Sequence, residues 1–163
     1  MPTNSNNNAI VDNDKYRPCV GMMVLNADNQ VFVGKRIDSI SESWQMPQGG
    51  IDEGEQPLEA AMRELSEEMG TNNVTLLAQT QSWLHYDLPA ELVPIFWNGR
   101  YLGQRQKWFL MRLNDDAIIN LQTADPEFCE YKWVQPQELP ILAVSFKQQL
   151  YSDVLSEFLP LIS

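Results

Sequence analysis

The pattern of apolar residues divides the chain into five extended segments and two helices. The extended segments are rich in Val, Tyr, Trp and Phe, which β-strands favour, and they read RPCVGMMVLN, QVFVGKR, VTLLAQTQSWLHYDL, QKWFLMRL and EYKWV. Turn residues separate them at NADNQ, WNGRYLG and LNDDA. Helices are predicted from Pro57 to Met69 and from Phe146 to Phe158. Strands mixed with two well-separated helices predict an α/β sandwich in which helices cover a mixed sheet.

The helix predicted over 57–69 has two distinct faces. Pro57 at its first position and Gly70 after its end are typical start and stop signals. At about 100° per residue, the apolar side chains share one face, which is the predicted core face: Leu58, Ala61, Met62, Leu65 and Met69. Three acids share another face, because residues three and four apart lie together on a helix: Glu64, Glu67 and Glu68.

Two interpretations of this acidic face remain open. It is either a solvated surface, or a group of carboxylates whose mutual repulsion is offset by a bound cation. A solvated face is expected to carry interleaved lysines, but the only base in the helix is Arg63. Clustered carboxylate oxygens suit hard divalent cations such as Mg²⁺ or Mn²⁺.

Composition narrows the class of protein. The 163 residues are 44% hydrophobic and 20% charged, which indicates one globular domain. No apolar run approaches the roughly 20 residues of a membrane span, so no membrane partner is expected. Residues 1–15 contain five asparagines and no apolar periodicity, which predicts a disordered tail. The same segment lacks the pattern of a secretory signal, so a cytoplasmic location is predicted.

The net charge of −11 argues against binding nucleic acid through a broad basic surface, so DNA is not an expected partner. An anionic substrate stays possible, because a divalent metal can reverse the local sign of an acidic cleft. Cys19 and Cys129 stand far apart without metal-type spacing and are predicted to be reduced thiols. His85, the only histidine, is predicted to be structural or exposed.

The acids of the helix belong to a longer spaced pattern. From Gly49 onward the sequence fits G-x5-E-x7-R-E-U-x-E-E-x-G-U, where U is a bulky aliphatic residue, at eight of nine specified positions over 23 residues. The departure is Thr71 at the final U, a position expected to pack rather than to react. The pattern resembles the Nudix box, here residues 49–71. The resemblance implies a Nudix hydrolase domain over residues 16–163, with an α/β/α sandwich in which the box forms a metal-coordinating loop-helix-loop.

Further stretches resemble one bacterial branch of that family, the (di)nucleoside polyphosphate hydrolases and RNA pyrophosphohydrolases. They appear in order as YRPCVGMMVLN, GKRID, SWQMPQGGIDEGE, SWLHYDLP, GQRQKWFLMRL, PEF and VSFKQQLY. The resemblance implies metal-assisted hydrolysis of a phosphoanhydride, with Mg²⁺, Mn²⁺ or another divalent cation as cofactor.

The resemblance also implies roles for individual residues. The predicted metal ligands are Glu64, Glu67, Glu68 and, from the PEF stretch, Glu127. Arg63 is expected to orient the carboxylates, Glu55 to brace the loop, and Gly49 and Gly70 to shape the box. The predicted substrate-binding residues are Arg17, Arg36, Ser43, Tyr86, Phe146 and Lys147. For three of the predicted site residues a structural interpretation also stays open. Glu127 could be a solvated loop acid, and Tyr86 and Phe146 could belong to the core.

Three functions stay open at this point. The first is an RNA pyrophosphohydrolase that removes pyrophosphate from the 5′ end of triphosphorylated RNA and acts in mRNA decay. The second is an asymmetrical hydrolase of diadenosine polyphosphates that releases ATP. The third is a non-catalytic module that binds a nucleotide or an RNA end, which the intact set of box acids disfavours. Four further bases, which cluster within thirteen positions, are candidates for substrate capture: Arg100, Arg105, Lys107 and Arg112.

Overall fold

The computed structural model of the protein describes residues 13–38 and 42–162. In these residues seven strands form one sheet: β1 (Tyr16–Leu25), β2 (Val31–Arg36), β3 (Gln48–Gly50), β4 (Val74–Gln79), β5 (Leu84–Asp87), β6 (Gly103–Leu113) and β7 (Phe128–Val134). The α-helices are α1 (Pro57–Met69), α2 (Leu139–Leu142) and α3 (Gln148–Phe158). Short 3-10 helices cover Asn13–Lys15, Phe96–Gly99, Pro136–Glu138, Ser145–Lys147 and Leu159–Leu161. Residues 1–12 of the predicted tail lie outside the described residues.

The sheet is mixed, as the sequence predicts. Its strand order is β4-β6-β1-β2-β7, with β3 paired to β1 and β5 paired to β6. The central strands β1 and β6 are parallel, in register from Tyr16 opposite Gly103 to Leu25 opposite Arg112. All the other pairs are antiparallel. Since β3 pairs with residues 19–21 of β1, the loop that precedes α1 is fixed against the centre of the sheet.

Helices cover both faces of the sheet. Successive side chains of a strand point to opposite faces, and β1 is buried on both. Met23 and Leu25 belong to the core cluster that includes residues of α3, whereas Met22 and Val24 belong to the cluster that includes residues of α1. The predicted α/β/α sandwich is therefore confirmed.

Some boundaries differ from the prediction. The segment predicted as one strand over 74–88 is two strands, β4 and β5, which both pair with β6. The C-terminal helix begins at Gln148 rather than Phe146, because Ser145–Lys147 forms a separate 3-10 turn. No pattern predicts β3 or α2, since segments of 3 and 4 residues are too short to show a periodicity.

Helix α1 has the predicted bounds but a partly different buried face. Ala61, Leu65 and Met69 are buried as predicted, but Leu58 is 40% exposed because it lies in the first turn, where Ala60 takes the buried position. Glu68 is only 3% exposed. The acidic face is thus not a uniformly solvated surface.

Two expectations from composition can be compared with the described residues. Cys19 is buried and Cys129 is exposed, and both are free cysteines as predicted. None of the helices in residues 13–38 and 42–162 has both the length and the apolar character needed to cross a membrane.

The end of α1 depends on close backbone packing at Gly70. This residue has φ 73°, in the left-handed region, and its N–H donates to the carbonyl of Ser66. The backbone of Asn120 lies close to this helix end, because the Asn120 N–H donates to the Met69 carbonyl at 2.8 Å. A Cβ on Gly70 would collide with the Asn120 carbonyl oxygen. Glycine is therefore needed here for its conformation and for the close approach of the backbone.

Gly70→Ala is predicted to lower the free energy of unfolding by more than the roughly 1–2 kcal/mol that a left-handed alanine costs alone, because it adds the collision with Asn120. Gly54 provides the control, since its φ is 80° and a Cβ there would meet nothing within 4 Å. Urea unfolding of Gly70→Ala and Gly54→Ala measures the difference. Equal losses in the two variants would contradict the role of the close approach.

Candidate active site

A cavity of about 710 Å³ collects side chains from strands, helices and loops that are distant along the chain. All six predicted substrate-binding residues line it: Arg17, Arg36, Ser43, Tyr86, Phe146 and Lys147. Three predicted metal ligands also line it: Glu64, Glu67 and Glu127. The sequence did not single out several further lining residues, which include Gln45, Gln48, Gln104, Leu88, Leu92, Phe96 and Trp97.

Arg63 joins the acidic helix to the loop before it. Its Nε and Nη2 donate to the two carboxylate oxygens of Glu55, each at 2.9 Å, and Nη2 also donates to the Gly50 carbonyl at 2.9 Å. Its Nη1 donates to Glu64 at 2.8 Å and lies 3.3 Å from Glu67. One guanidinium therefore fixes the loop and orients two of the predicted metal ligands.

Glu55 is held as a carboxylate by these contacts. The hydrogen bond from Arg63 and a second one from the Asp52 N–H lower the pKa of Glu55 to about 2. The Asp52 N–H lies 2.9 Å from Glu55 Oε1. The Glu55 carboxylate thus links the loop backbone at Asp52 to the Arg63 side chain.

Glu64 lines the cavity, and its charge acts on the neighbouring buried acid Glu68. Gly49 leaves room for Glu64, because a Cβ at residue 49 would collide with the Glu64 carboxylate. Burial raises the pKa of Glu64, and burial, followed by the charge of Glu64, raises the pKa of Glu68 well above 4.5. The backbone N–H of Gln48 donates to Glu68. Two carboxyl groups this close cannot both ionise cheaply without a nearby positive charge.

The Glu68 carboxyl group also has an unused oxygen. Glu68 Oε2 is buried and has no hydrogen-bond partner within the described part of the chain. A buried polar atom without a partner is uncommon in native proteins, and a bound ion is one of its ordinary explanations. The orphaned oxygen and the all-oxygen donor set therefore fit a hard divalent cation.

The carboxylates are not gathered around one point. Among residues 13–38 and 42–162, no group of three or more His, Cys, Asp and Glu side chains is close enough to hold a metal ion as it stands. Glu64 is held by Arg63, and Glu127 lies 3.5 Å from the Arg36 guanidinium. Glu67, with a side chain that is 53% exposed, is the least constrained of the set.

Lys147 is a buried cation without a carboxylate partner. It is 7% exposed, its Nζ donates to Gln48 Oε1 at 3.3 Å, and no carboxylate of the described residues lies within 4 Å of it. Burial lowers the pKa of Lys147 to about 8. Its Nζ lies 5.5 Å from the centre of the Tyr86 ring, which in turn lies 5.7 Å from the Phe146 ring.

The other two cations of the cavity are differently placed. Arg36 donates two hydrogen bonds of 2.9 Å to Asp38, and these contacts raise its pKa. The Arg17 guanidinium lies 5.4 Å from the centre of the Trp97 ring and contacts Cys19 Sγ at 3.6 Å. Of the three cations, only Arg36 is neutralised by acids.

A chain of amides begins at the buried Trp108 and ends at the cavity. The Trp108 indole N–H donates to Gln106 Oε1 at 2.8 Å. Because an indole N–H can only donate, Gln106 must present its oxygen to Trp108 and its NH₂ to the other side. That NH₂ donates to Gln104 Oε1 at 2.7 Å and to Gln48 Oε1 at 3.1 Å.

The direction of these amide hydrogen bonds decides which groups Gln48 and Gln104 present to the cavity. Since Gln48 and Gln104 both accept through their oxygens, their own NH₂ groups stay available as donors, and both residues line the cavity. Alternation along β6 could have indicated Gln104 and Gln106, because residues two apart face the same side of a strand. The bond to Trp108, which fixes their orientation, leaves no trace in that pattern.

The basic cluster proposed for substrate capture lies elsewhere. Arg100, Arg105, Lys107 and Arg112 are all absent from the lining of the described cavity. Arg112 instead holds a turn, because it donates to the Asn26 carbonyl and to Asn29 Oδ1. Arg105 lies over the Trp83 ring at 4.6 Å. Proximity along the sequence was therefore a poor guide for these bases.

Two smaller predictions concern His85 and Thr71. His85 is exposed and packs edge-on against Tyr16 at 5.1 Å, in agreement with the predicted structural or exposed role. The Thr71 hydroxyl accepts a hydrogen bond from the Asn73 N–H at 3.1 Å. The departure from the box pattern therefore makes a turn contact after α1.

Comparison with known proteins adds an independent line of evidence. The model of the NUDIX domain matches residues 15–154. The chain is 51% identical over 148 residues to the RNA pyrophosphohydrolase of Rickettsia prowazekii (strain Madrid E), covering 90% of this chain and 92% of that protein. It is 48% identical over 155 residues to the RNA pyrophosphohydrolase of Wolbachia pipientis subsp. Culex pipiens (strain wPip), covering 94% and 95%.

Solved structures share the fold at lower identity. The E. coli dihydroneopterin triphosphate pyrophosphohydrolase superposes with a TM-score of 0.67 at 22% identity, over 87% of this chain and 98% of that one. A C. elegans Ap4A hydrolase binary complex superposes with a TM-score of 0.60 at 20% identity, with the same coverage. Likeness at this identity concerns the architecture alone.

Glu68→Gln is predicted to stabilise the metal-free protein above pH 5. The folded state raises the pKa of Glu68 above 4.5, so ionising this acid opposes folding, and stability falls as pH rises from that value. Glutamine cannot ionise and should avoid this loss. Thermal melts in chelator between pH 5 and 8.5 should show a gain that grows with pH, whereas Glu59→Gln, at an exposed site on the same helix, should show none. A constant gain across this range would contradict the titration of Glu68.

Gln106→Met is predicted to weaken binding of a polyphosphate as well as stability. It removes the acceptor of the Trp108 indole and the donor that orients Gln48 and Gln104, at a cost of about 1–3 kcal/mol in unfolding free energy. Thr80→Val is the matched control, because the Thr80 hydroxyl accepts from the Trp108 backbone N–H at 3.1 Å without touching the amides. Calorimetry with a non-hydrolysable triphosphate analogue should show affinity lost, by about tenfold, only in Gln106→Met. Equal affinity in both variants would leave the amide chain a structural feature alone.

Proposed function

The chain belongs to the NUDIX domain family, and we propose that it removes pyrophosphate from the 5′ end of triphosphorylated RNA. Its resemblance to the bacterial RNA pyrophosphohydrolase branch is confirmed by the relatives of about 50% identity. It is a hydrolase that acts on phosphoric anhydrides. The choice of RNA as substrate rests on the named activity of those relatives together with the charges of the cavity.

The observation that carries the proposal is a pair of buried polar groups without a counter-charge, both of which contact Gln48. Glu68 has a buried oxygen without a partner, and burial beside Glu64 raises its pKa. Lys147 lines the cavity as a buried ammonium without a carboxylate partner within the described residues. Buried charges are normally paired or bind metals. A divalent cation held by the carboxylates and a phosphate chain contacted by Lys147 would together satisfy both groups.

Divalent cations are a general requirement of the family, and Mg²⁺ is the ion that we propose here, with Mn²⁺ as a substitute. Glu64, Glu67, Glu68 and Glu127 would hold it. When bound, the ion neutralises phosphate oxygens and lowers the pKa of a bound water. The exposed Glu67 side chain can adjust to the ion without disturbing the core.

The protein's own residues position the substrate. Arg63 keeps Glu64 and the loop after β3 in place through its bonds to Glu55 and Gly50. Arg17 and Lys147 are cations available to phosphate oxygens, and the Gln48 and Gln104 amides add neutral donors. Tyr86 and Phe146 form an aromatic surface beside Lys147, which suits the base of the terminal nucleotide. Arg36 and Ser43 complete the predicted set. Phosphoryl transfer depends on such positioning and charge neutralisation.

A dinucleoside polyphosphate is the second candidate substrate. It presents the same anhydride to the same carboxylates, and the cavity carries a second aromatic pair beyond Tyr86 and Phe146, formed by Phe96 and Trp97.

No protein partner is proposed. The predicted cytoplasmic location stays a prediction.

Purified protein with Mg²⁺ should release pyrophosphate from a 5′-triphosphorylated RNA, and Glu67→Gln should reduce this rate. A group that only supports a metal ligand contributes about 10- to 100-fold, so a ligand itself should contribute at least about 100-fold. Glu59→Gln, an exposed acid of the same helix, should retain the parent rate.

Diadenosine tetraphosphate is assayed with the same preparation, and the ratio of the two rates identifies the preferred substrate. Full activity of Glu67→Gln, or activity that persists in chelator, would overturn the proposed metal-dependent chemistry. If diadenosine tetraphosphate is hydrolysed but no pyrophosphate is released from RNA, the dinucleoside polyphosphate replaces RNA as the proposed substrate.

A further inference from the structure

The cavity wall formed by Phe96 and Trp97 has an unusual backbone. Trp97 has φ 49° and Asn98 has φ 57°, and Gly99 follows with φ 74°. The left-handed region is rare for non-glycine residues, and for a bulky residue it is an outlier that deserves a cause. Such strained residues persist only where their surroundings hold them, and they concentrate at ligand clamps and active sites.

Packing alone does not account for this placement. Phe96 is 41% exposed, and the neighbouring Ile95 is 68% exposed. The Trp97 ring lies 5.5 Å from Phe96 and 5.9 Å from Tyr101, and it is only partly buried against the core. The strained turn therefore buries the Trp97 ring only in part and leaves Phe96 exposed. Its effect is to place both of them on the wall of the cavity.

The arrangement around Trp97 repeats the one around Tyr86. In the first pair, Tyr86 and Phe146 lie 5.7 Å apart and Lys147 is 5.5 Å from the Tyr86 ring. In the second pair, Phe96 and Trp97 lie 5.5 Å apart and Arg17 is 5.4 Å from the Trp97 ring. Each is an aromatic pair with a cation beside it. Such a pair can stack a planar base while the cation contacts the phosphate attached to it.

We propose that Phe96 and Trp97 form a second nucleobase site in the catalytic cavity. This inference rests on the proposed function, because the first base would lie at Tyr86 and Phe146. The second base is planar and apolar on both faces, which matches two aromatic rings on a cavity wall. It arrives covalently linked to the first base, either through the polyphosphate of a dinucleoside polyphosphate or as the second nucleotide of an RNA.

The test compares substrates that carry one base with substrates that carry two. In the first arm, kcat/KM is measured for diadenosine tetraphosphate and for adenosine tetraphosphate. In the second arm, it is measured for a 5′-triphosphorylated dinucleotide and for ATP. The ratio of the two-base to the one-base substrate is taken within each arm. This ratio does not depend on how much of a variant is folded, because both rates come from one preparation.

Trp97→Ala is expected to lower the ratio in at least one arm by about 5- to 150-fold, the range for loss of one stacked base. Phe96→Ala should lower it in the same arm, and Trp97→Phe should recover most of the ratio, since it keeps an aromatic face. Ile95→Ala is the matched control from the same loop and should keep the parent ratio. A fall in the first arm assigns the site to the distal base of a dinucleoside polyphosphate, and a fall in the second assigns it to the second nucleotide of RNA.

Two results would overturn the second base site. One is a parent enzyme that shows no preference for two bases in either arm, and the other is an unchanged ratio in both Trp97→Ala and Phe96→Ala. Failure of the proposed function is distinguishable, because the parent would then release no pyrophosphate from the triphosphorylated dinucleotide. In that case calorimetric affinities for the same compounds still test the site, and equal affinity of Trp97→Ala and the parent for diadenosine tetraphosphate and for the dinucleotide would overturn it.

Discussion

The candidate active site depends on one guanidinium group. Arg63 reaches backward to Glu55 and the Gly50 carbonyl and forward to Glu64 and Glu67, so that the loop after β3 and helix α1 form one unit. Such bidentate pairs hold geometry as well as charge. Without this connection, the acids of α1 would keep their helical spacing but lose their position relative to β1 and to the cations that line the cavity. Order in the site thus comes from a residue that does not line the cavity.

Local spacing explains why so much of this site could be predicted. The box occupies 23 consecutive residues, and its three helical glutamates share one face because a helix brings residues three and four apart together. The bounds of α1 followed from Pro57 and Gly70. The alternating apolar residues of β1 likewise indicated a buried central strand, and the two core clusters on either side of it confirm the sandwich.

What escaped prediction depends on contacts between distant residues or on backbone conformation. Gln48 and Gln106 are separated by 58 positions, and only the tertiary structure brings their amides together. Trp97 adopts a left-handed conformation that a bulky residue rarely takes. The stretch WNGRYLG indicated a turn, but nothing in that pattern places Phe96 and Trp97 on the wall of the cavity. Arg112 shows the reverse error, because its charge suggested substrate capture whereas its neighbours use it to hold a turn.

The parallel pairing of β1 with β6 also governs how the molecule can form. Paired residues such as Tyr16 and Gly103 are 87 positions apart, so the central pair of the sheet cannot assemble until a ribosome has synthesised the whole segment between them. Non-local pairing of this kind slows folding, since the entropy of closing a long loop is lost before the contacts form. The cavity spans an even longer interval, from Arg17 to Lys147. The cavity therefore cannot be complete during synthesis until Lys147 has left the ribosome.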